Sequence, residues 1–263
     1  MKRMLTLLAG AAMASVPALA AEPAKVPPPP IYVPAPPPSP APPPVRTEAG
    51  FALAQRLTLL VLPPEVVIEQ NREAVALGFD AEAKKSPELG MLLEQHPGLR
   101  TKLIDTGKRE LDRILAAGLP DMQRSMAEFY VRNLDEATLR TVVEFYETDL
   151  GRKLVQIEYQ SIDTKAVTDS RFSSTEEFTR SDVDQLYSGV EARMVKALTP
   201  QERTKVATFT LSPAGRKLFR LTSQTKDLSV KLINDLIGPH RAELEAAYAE
   251  AVAEYFSSGA AAN

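Results

Sequence analysis

The stretch Leu134–Leu154, LDEATLRTVVEFYETDLGRKL, aligns without a gap on Leu198–Leu218, LTPQERTKVATFTLSPAGRKL, when the chain is shifted by 64 positions. Seven of the 21 positions are identical: Leu134/Leu198, Val142/Val206, Phe145/Phe209, Gly151/Gly215, Arg152/Arg216, Lys153/Lys217 and Leu154/Leu218. Each copy reads as a helix capped by Asp135 or Thr199 that ends near a phenylalanine. A second cap, Thr148 or Ser212, then opens a helix on Gly-Arg-Lys-Leu. Internal repetition of this kind predicts two related helical-hairpin units.

The same punctuation extends outward from the repeat. Pro63-Pro64 breaks an apolar run from Phe51 to Leu62, and Ser86-Pro87 reads as a cap followed by proline at the first helical position. Gly118-Leu119-Pro120 is expected to end one helix and begin another. Ser174-Thr175-Glu176-Glu177 and Thr199-Pro200-Gln201-Glu202 have capping-box spacing. Apolar residues recur at helical intervals, as in Leu103, Leu111, Ile114 and Leu115, then Met122, Met126, Phe129 and Tyr130. The last helix places Leu244, Ala247, Tyr248, Ala251 and Tyr255 on one face. The predicted fold is all-α: a multi-helix bundle of about ten helices over residues 47–256, with no sheet and a flexible tail at 257–263.

The N-terminal part is of a different kind. Lys2 and Arg3 precede an uncharged run from Met4 to Val16, and Ala18-Leu19-Ala20 is the pattern a signal peptidase cuts. Residues 1–20 are therefore predicted to be a signal peptide, with the mature chain starting at Ala21. Nothing later in the sequence is expected to be apolar for long enough to cross a bilayer. Residues 21–46 form a proline-rich linker, with thirteen prolines among the 22 residues from Pro23 to Pro44. Such a run favours a disordered or extended polyproline II leader. It serves either as a spacer or as a docking strip anchored by its apolar island, Ile31-Tyr32-Val33.

Composition limits the chemistry. The chain has 263 residues, no cysteine, no tryptophan and a formal net charge of −3, about −5 once Lys2 and Arg3 are removed. Disulfides and thiol nucleophiles are excluded, and no basic field points to nucleic acid. His96 and His240 lack the helical partners of a metal site. No nucleophile elbow, phosphate loop or dinucleotide glycine run occurs. The carboxylates, Glu176-Glu177, Asp182 and Asp184 among them, read as a solvated face. Tyr146, Tyr159, Tyr187 and Tyr248 read as core or rim residues. No catalytic, cofactor or metal residue is assigned.

Phe145-Tyr146-Glu147-Thr148-Asp149-Leu150-Gly151-Arg152-Lys153-Leu154 resembles the signature of a bacterial exported family, domain of unknown function 2059. That signature is an aromatic pair, a Ser/Thr-Pro step and Gly-Arg/Lys-Lys. The second copy supplies the Ser212-Pro213 step that the first lacks, and has Phe209-Thr210 in place of the aromatic pair. The resemblance implies an all-helical periplasmic domain and brings no established activity. Phe145, Gly151, Arg152, Lys153, Phe209 and Gly215 are read as a structural corner motif.

The helix dipole, which disfavours cations in a first turn, points to one further site. Ser212, Arg216 and Lys217 are candidates for binding an anion, such as a lipid head group or a cell-wall carboxylate. The competing expectation pairs Arg216 with Glu202 or Asp227. In the first copy, Glu144 and Glu147 are expected to neutralise Arg152 and Lys153. The function expected is an exported, non-enzymatic interaction module of the cell envelope, its partner an envelope protein, the cell wall or lipid. The alternatives are a carrier or chaperone that encloses an apolar ligand and, third, an envelope enzyme built on carboxylates.

Overall fold

The computed structural model describes residues 47–165 and 177–258 of the chain. These residues form twelve α-helices and one 3-10 turn, and no strand occurs among them. The expected signal peptide and proline-rich leader lie outside the described residues, as does Ser174, the cap of the box expected at Ser174-Thr175-Glu176-Glu177.

The first four helices are α1 (Glu48–Val61), α2 (Pro64–Lys85), α3 (Pro87–Gln95) and α4 (Pro97–Asn133). At 37 residues α4 is about 55 Å long, and it is the spine of the molecule. Leu103, Leu111, Ile114, Leu115, Met122, Met126 and Tyr130 form its buried stripe, while Phe129 lies only partly buried beside them. Helices α1, α2 and α3 pack on this spine.

Pro120 does not divide α4, contrary to the expectation from Gly118-Leu119-Pro120. The proline ring is exposed, and Leu119 continues the buried stripe across it. A proline inside a helix costs about 3 kcal/mol. Burying several large side chains on each side, at about 1.5–3 kcal/mol each, outweighs that cost.

The repeat follows. Helices α5 (Glu136–Tyr146) and α6 (Asp149–Ser161) form its first copy. Helices α7 (Arg180–Leu186) and α8 (Val190–Ala197) lie between the copies. The second copy is α9 (Pro200–Leu211) and α10 (Pro213–Arg220). Helix α11 (Thr222–Ile237), a 3-10 turn (Gly238–His240) and α12 (Arg241–Ser257) complete the described chain. Both α11 and α12 return to pack on α4. The last helix buries Leu244, Tyr248, Ala251 and Tyr255, and reaches one residue into the stretch expected to be a flexible tail. A capping box forms at Thr179 and Asp182, and another at Thr199 and Glu202 as the spacing predicts.

Helix α1 covers the first copy. The Thr47 hydroxyl donates to Glu136 Oε2 at 3.0 Å, and Arg56 pairs with Glu147 at the other end of α5. Between these contacts α5 buries Leu139 and Val143. Their counterparts on α9 are Arg203 and Ala207, of which Arg203 is exposed and Ala207 only partly buried. The sequence of each copy thus matches its cover.

The stretch Glu48–Lys85 is, by length and composition, apolar enough to cross a membrane, with a mean hydropathy of 1.5 over its best window. This corrects the expectation that nothing after the signal peptide would qualify. Pro63 and Pro64 split the stretch into two helices, and Ala54, Leu57 and Val61 are buried.

Candidate functional site

The corner between the two helices of each copy is built the same way twice. Gly151 N–H donates to Thr148 Oγ1 at 3.0 Å, and Gly215 N–H donates to Ser212 Oγ at 3.0 Å. Each hydroxyl therefore satisfies one of the free amides at its helix start. A Cβ at Gly151 would collide with the carbonyl oxygen of Phe145, and one at Gly215 with that of Phe209. Glycine is needed because the end of the preceding helix presses its backbone there, rather than its phenylalanine ring.

The two copies meet through reciprocal contacts. The rings of Phe145 and Phe209 stack on each other. Lys153 of the first copy reaches Glu202 of the second, with Nζ 2.7 Å from Oε1 and 2.9 Å from Oε2. In return, Lys217 of the second copy pairs with Asp135 of the first and donates to Thr138 Oγ1 at 3.2 Å. Both acids lie at the N-terminal end of a helix, Asp135 as the cap and Glu202 in the first turn, where the dipole also favours negative charge. The copies exchange the chemistry of that end. The first has a carboxylate cap and a threonine at the third helical position, Asp135 and Thr138; the second has Thr199 and Glu202. Hydrogen bonds from lysine and from the helix amide hold the Asp135 and Glu202 carboxyls each down at about 2.

This exchange corrects the charge pairing read from the sequence. Glu147 pairs with Arg56, while Arg152 bonds the Glu147 carbonyl oxygen and Asp149. Lys153 leaves its own copy altogether. Lys217 likewise turns to Asp135, and Ser212 is occupied as a cap, so the structure does not gather Ser212, Arg216 and Lys217 round a common point. Arg216 is exposed and has no ion-pair partner among the described residues. Glu202 and Asp227, its expected partners, are held by Lys153 and Arg180. The aspartate that would correspond to Asp149 is Pro213 in the second copy, which removes the local partner.

An apolar groove lies between α1, α2 and α6. Leu59 and Leu60 of α1, Val66 of α2, and Val155 and Ile162 at α6 line a cleft of about 870 Å³. Leu59 is 50% exposed there. Glu65, Glu69 and Glu73 form one rim, and Arg152 stands among the lining residues. Gln70 Nε2 donates to the Tyr159 carbonyl at 2.6 Å, and Tyr159 Oη donates to the Val61 carbonyl at 3.0 Å. These two bonds fix α6 across the junction of α1 and α2. The Oε1 of Gln70 is buried without a hydrogen-bond partner. The sequence showed the apolar run of α1 but not which of its leucines α6 would leave bare.

The other large clefts are charged and open. One, between α2 and α4, is lined by Glu69, Arg72, Glu73, Asp105, Lys108 and Arg109. Arg72 and Asp112 already form a two-pronged pair in it, at 2.9 and 2.7 Å. In the core, Glu158 is 5% exposed. Burial raises the phenols of Tyr130, Tyr146 and Tyr159, and the Glu158 carboxylate adds to the effect. Tyr146, Tyr159, Tyr187 and Tyr248 are all buried, as their helical spacing predicts. His96 stands just before α4 with its ring edge-to-face against Tyr255 and Phe256, and His240 Nδ1 lies 2.9 Å from Glu243 Oε2. No group of metal-ligating side chains occurs among the described residues.

No curated protein and no solved structure matches the chain. The corner of the first copy, with the end of α4 before it, is where a family is found: residues 120–165 match the bacterial family described as "Uncharacterized protein conserved in bacteria (DUF2059)".

Proposed function

We propose that this chain is an exported, non-enzymatic interaction module of the bacterial cell envelope, and that the groove between α1, α2 and α6 is its docking face. The observation that carries this reading is the apolar floor of the groove, with half-exposed Leu59 bordered by three glutamates on α2. An apolar patch rimmed by polar groups is the ordinary form of a protein-binding surface. The signal-peptide pattern at residues 1–20 and the proline-rich leader support export and work outside the cytoplasm.

The alternative, a carrier, calls for an enclosed apolar cavity. The main clefts among the described residues open to solvent, which favours docking over enclosure.

The test is site-specific photocrosslinking in the bacterium, with the probe at Leu59 and, as control, at Met91, which is 56% exposed on α3. A discrete protein adduct at Leu59 and none at Met91 is expected. Equal labelling at both sites, or a lipid as the Leu59 adduct, would overturn the reading. Intact mass of the exported protein should show a chain beginning at Ala21, and retention of Met1 would refute export by this signal.

A further inference from the structure

We infer that the groove between α1, α2 and α6 takes an amphipathic α-helix of a partner protein, laid apolar side down with lysine or arginine along the flank that faces α2. This inference rests on reading the groove as the docking face, and names the class of partner that fits it.

The walls have the form of a helix seat. Each of two helices shows the groove two rows of side chains at four-residue spacing. On α2 the inner row is Val66 and Gln70, and the outer row is Glu65, Glu69 and Glu73. On α6 the inner row is Val155 and Tyr159, both buried, and the outer row is Arg152, Gln156 and Gln160, all exposed. Gln70 bonds the Tyr159 carbonyl oxygen, and beyond that α2 and α6 scarcely pack on each other. Each outer row runs about 12 Å along its helix, or two to three turns. Rows at four-residue spacing are the ridges by which helices interlock, so two such walls held apart make room for a third helix of similar length.

The floor also favours a helix over an extended chain. The backbone groups of both walls bond within their own helices, so neither wall offers a ladder to an extended peptide. A helix brings its backbone bonds already made, and lays only side chains on Leu59, Leu60 and Val155.

Charge sets the orientation. Among the described residues Glu65 and Glu73 have no ion-pair partner, and Glu69 is reached only by Arg72, at 3.6 Å. Arg72 is itself committed to Asp112 at 2.7 Å. Arg152, the one cation of the lining, is engaged by Asp149 and the Glu147 carbonyl oxygen. Like charges four residues apart on a helix repel, so this row costs α2 stability until cations face it. Lysines or arginines spaced four apart on an incoming helix supply them. The same carboxylates would repel an anionic lipid surface, which favours a protein as the partner.

The test uses the full mature protein and two dye-labelled synthetic peptides of roughly 18 residues, long enough to hold a helix. Both repeat leucine at helical spacing; one carries lysine along a flank and the other glutamate at the same places. Fluorescence anisotropy at low salt should show the lysine peptide bound at least about tenfold more tightly. The triple variant Glu65→Gln/Glu69→Gln/Glu73→Gln should lose that preference. Glu88→Gln/Glu94→Gln/Glu191→Gln removes the same charge from exposed positions elsewhere and should keep it. Leu59→Ser should weaken binding of the lysine peptide severalfold, and a central proline in that peptide should abolish it. Equal binding of the two peptides, equal loss in the two triple variants, tolerance of the proline, or no binding of either peptide would each overturn the inference. So would a parent protein that sediments as a dimer which Leu59→Ser dissolves, because a second copy then fills the groove. Equal binding of both peptides that Leu59→Ser weakens would leave the docking face in place and remove only the basic helix. Binding that Leu59→Ser leaves unchanged would remove the docking face itself.

Discussion

The rings of Phe145 and Phe209 stack face to face, with centroids 3.8 Å apart and planes 3° from parallel. These residues correspond under the 64-residue shift, so each meets its own counterpart. A residue that meets its own equivalent, flanked by reciprocated pairs, gives the contact pattern of an isologous dimer. The reciprocal lysine pairs sit on either side of this stack and follow the same pattern. The repeat is thus a pair of corners packed as a dimer would pack, within one chain.

The stack should be measurable as a coupling. Phe145→Ala and Phe209→Ala each remove a partly buried ring, and the double variant should cost less than the sum of the two. The expected interaction is about 0.5–1.5 kcal/mol from a double-mutant cycle in urea. Strict additivity would show that the rings touch without stabilising the pairing of the copies.

The corner glycines should resist the usual helix-stabilising change. Alanine is favoured over glycine in a helix by about 0.5–1 kcal/mol. At Gly151 and Gly215 the added Cβ meets a backbone carbonyl that cannot swing aside. Gly151→Ala and Gly215→Ala should each destabilise by about 2 kcal/mol or more. Gly238 has helical dihedrals and only its chain neighbours near its missing Cβ. Pro239 follows, however, and its ring disfavours a Cβ on a helical residue before it, so Gly238→Ala should be close to neutral. Thermal melts of the three variants check all of this, and a stabilised Gly215→Ala would contradict the corner geometry.

What the sequence showed and what it hid have the same cause. Caps, corner glycines and buried stripes are local, so Thr148, Ser212, Gly151, Gly215 and the Leu103–Tyr130 stripe were legible from spacing alone. The identity of Lys153 and Lys217 was also legible, but their partners were not. Each partner lies in the other copy, and the acid moves between the cap and the third helical position, Asp135 in one and Glu202 in the other. An ungapped alignment shows these as mismatches, although the cap and third helical position together hold one hydroxyl and one carboxylate in each copy. Pro120 misled for the converse reason: its local rule is sound, but packing on both sides of it is stronger. The groove depends on where α6 crosses α1 and α2, which no run of residues announces.

Pro120 therefore carries a cost that can be recovered. The ring is exposed and the helix passes through it, so an N–H restored at this position would face the Ala116 carbonyl four residues earlier. Pro120→Ala should stabilise the protein by about 1–3 kcal/mol. Chemical denaturation gives the value directly. A destabilised variant would mean that α4 needs a bend here in order to seat α11 and α12.

The reciprocal pairs make stability depend on acid, and the sign follows from their direction. Asp135 is held down at about 2, first by Lys217 and next by the Thr138 amide. A carboxyl depressed in the folded state stabilises fully above its unfolded value, near 4, and that contribution drains away as pH falls toward 2. The side chains of Lys217 and Asp135 are each 47% exposed, so the pair contributes no more than about 1 kcal/mol at neutral pH. Lys217→Met should lose about that amount at pH 7 and show a shallower fall in stability between about pH 5 and pH 2. Asp135→Asn keeps a residue able to cap α5 and removes only the charge, so it should flatten the same part of the profile. In the Lys217→Met/Asp135→Asn double variant the two losses should not add. Urea midpoints across that range decide the matter: if each single variant runs parallel to the parent, the two copies are joined by packing alone and the lysines of the repeat serve another purpose.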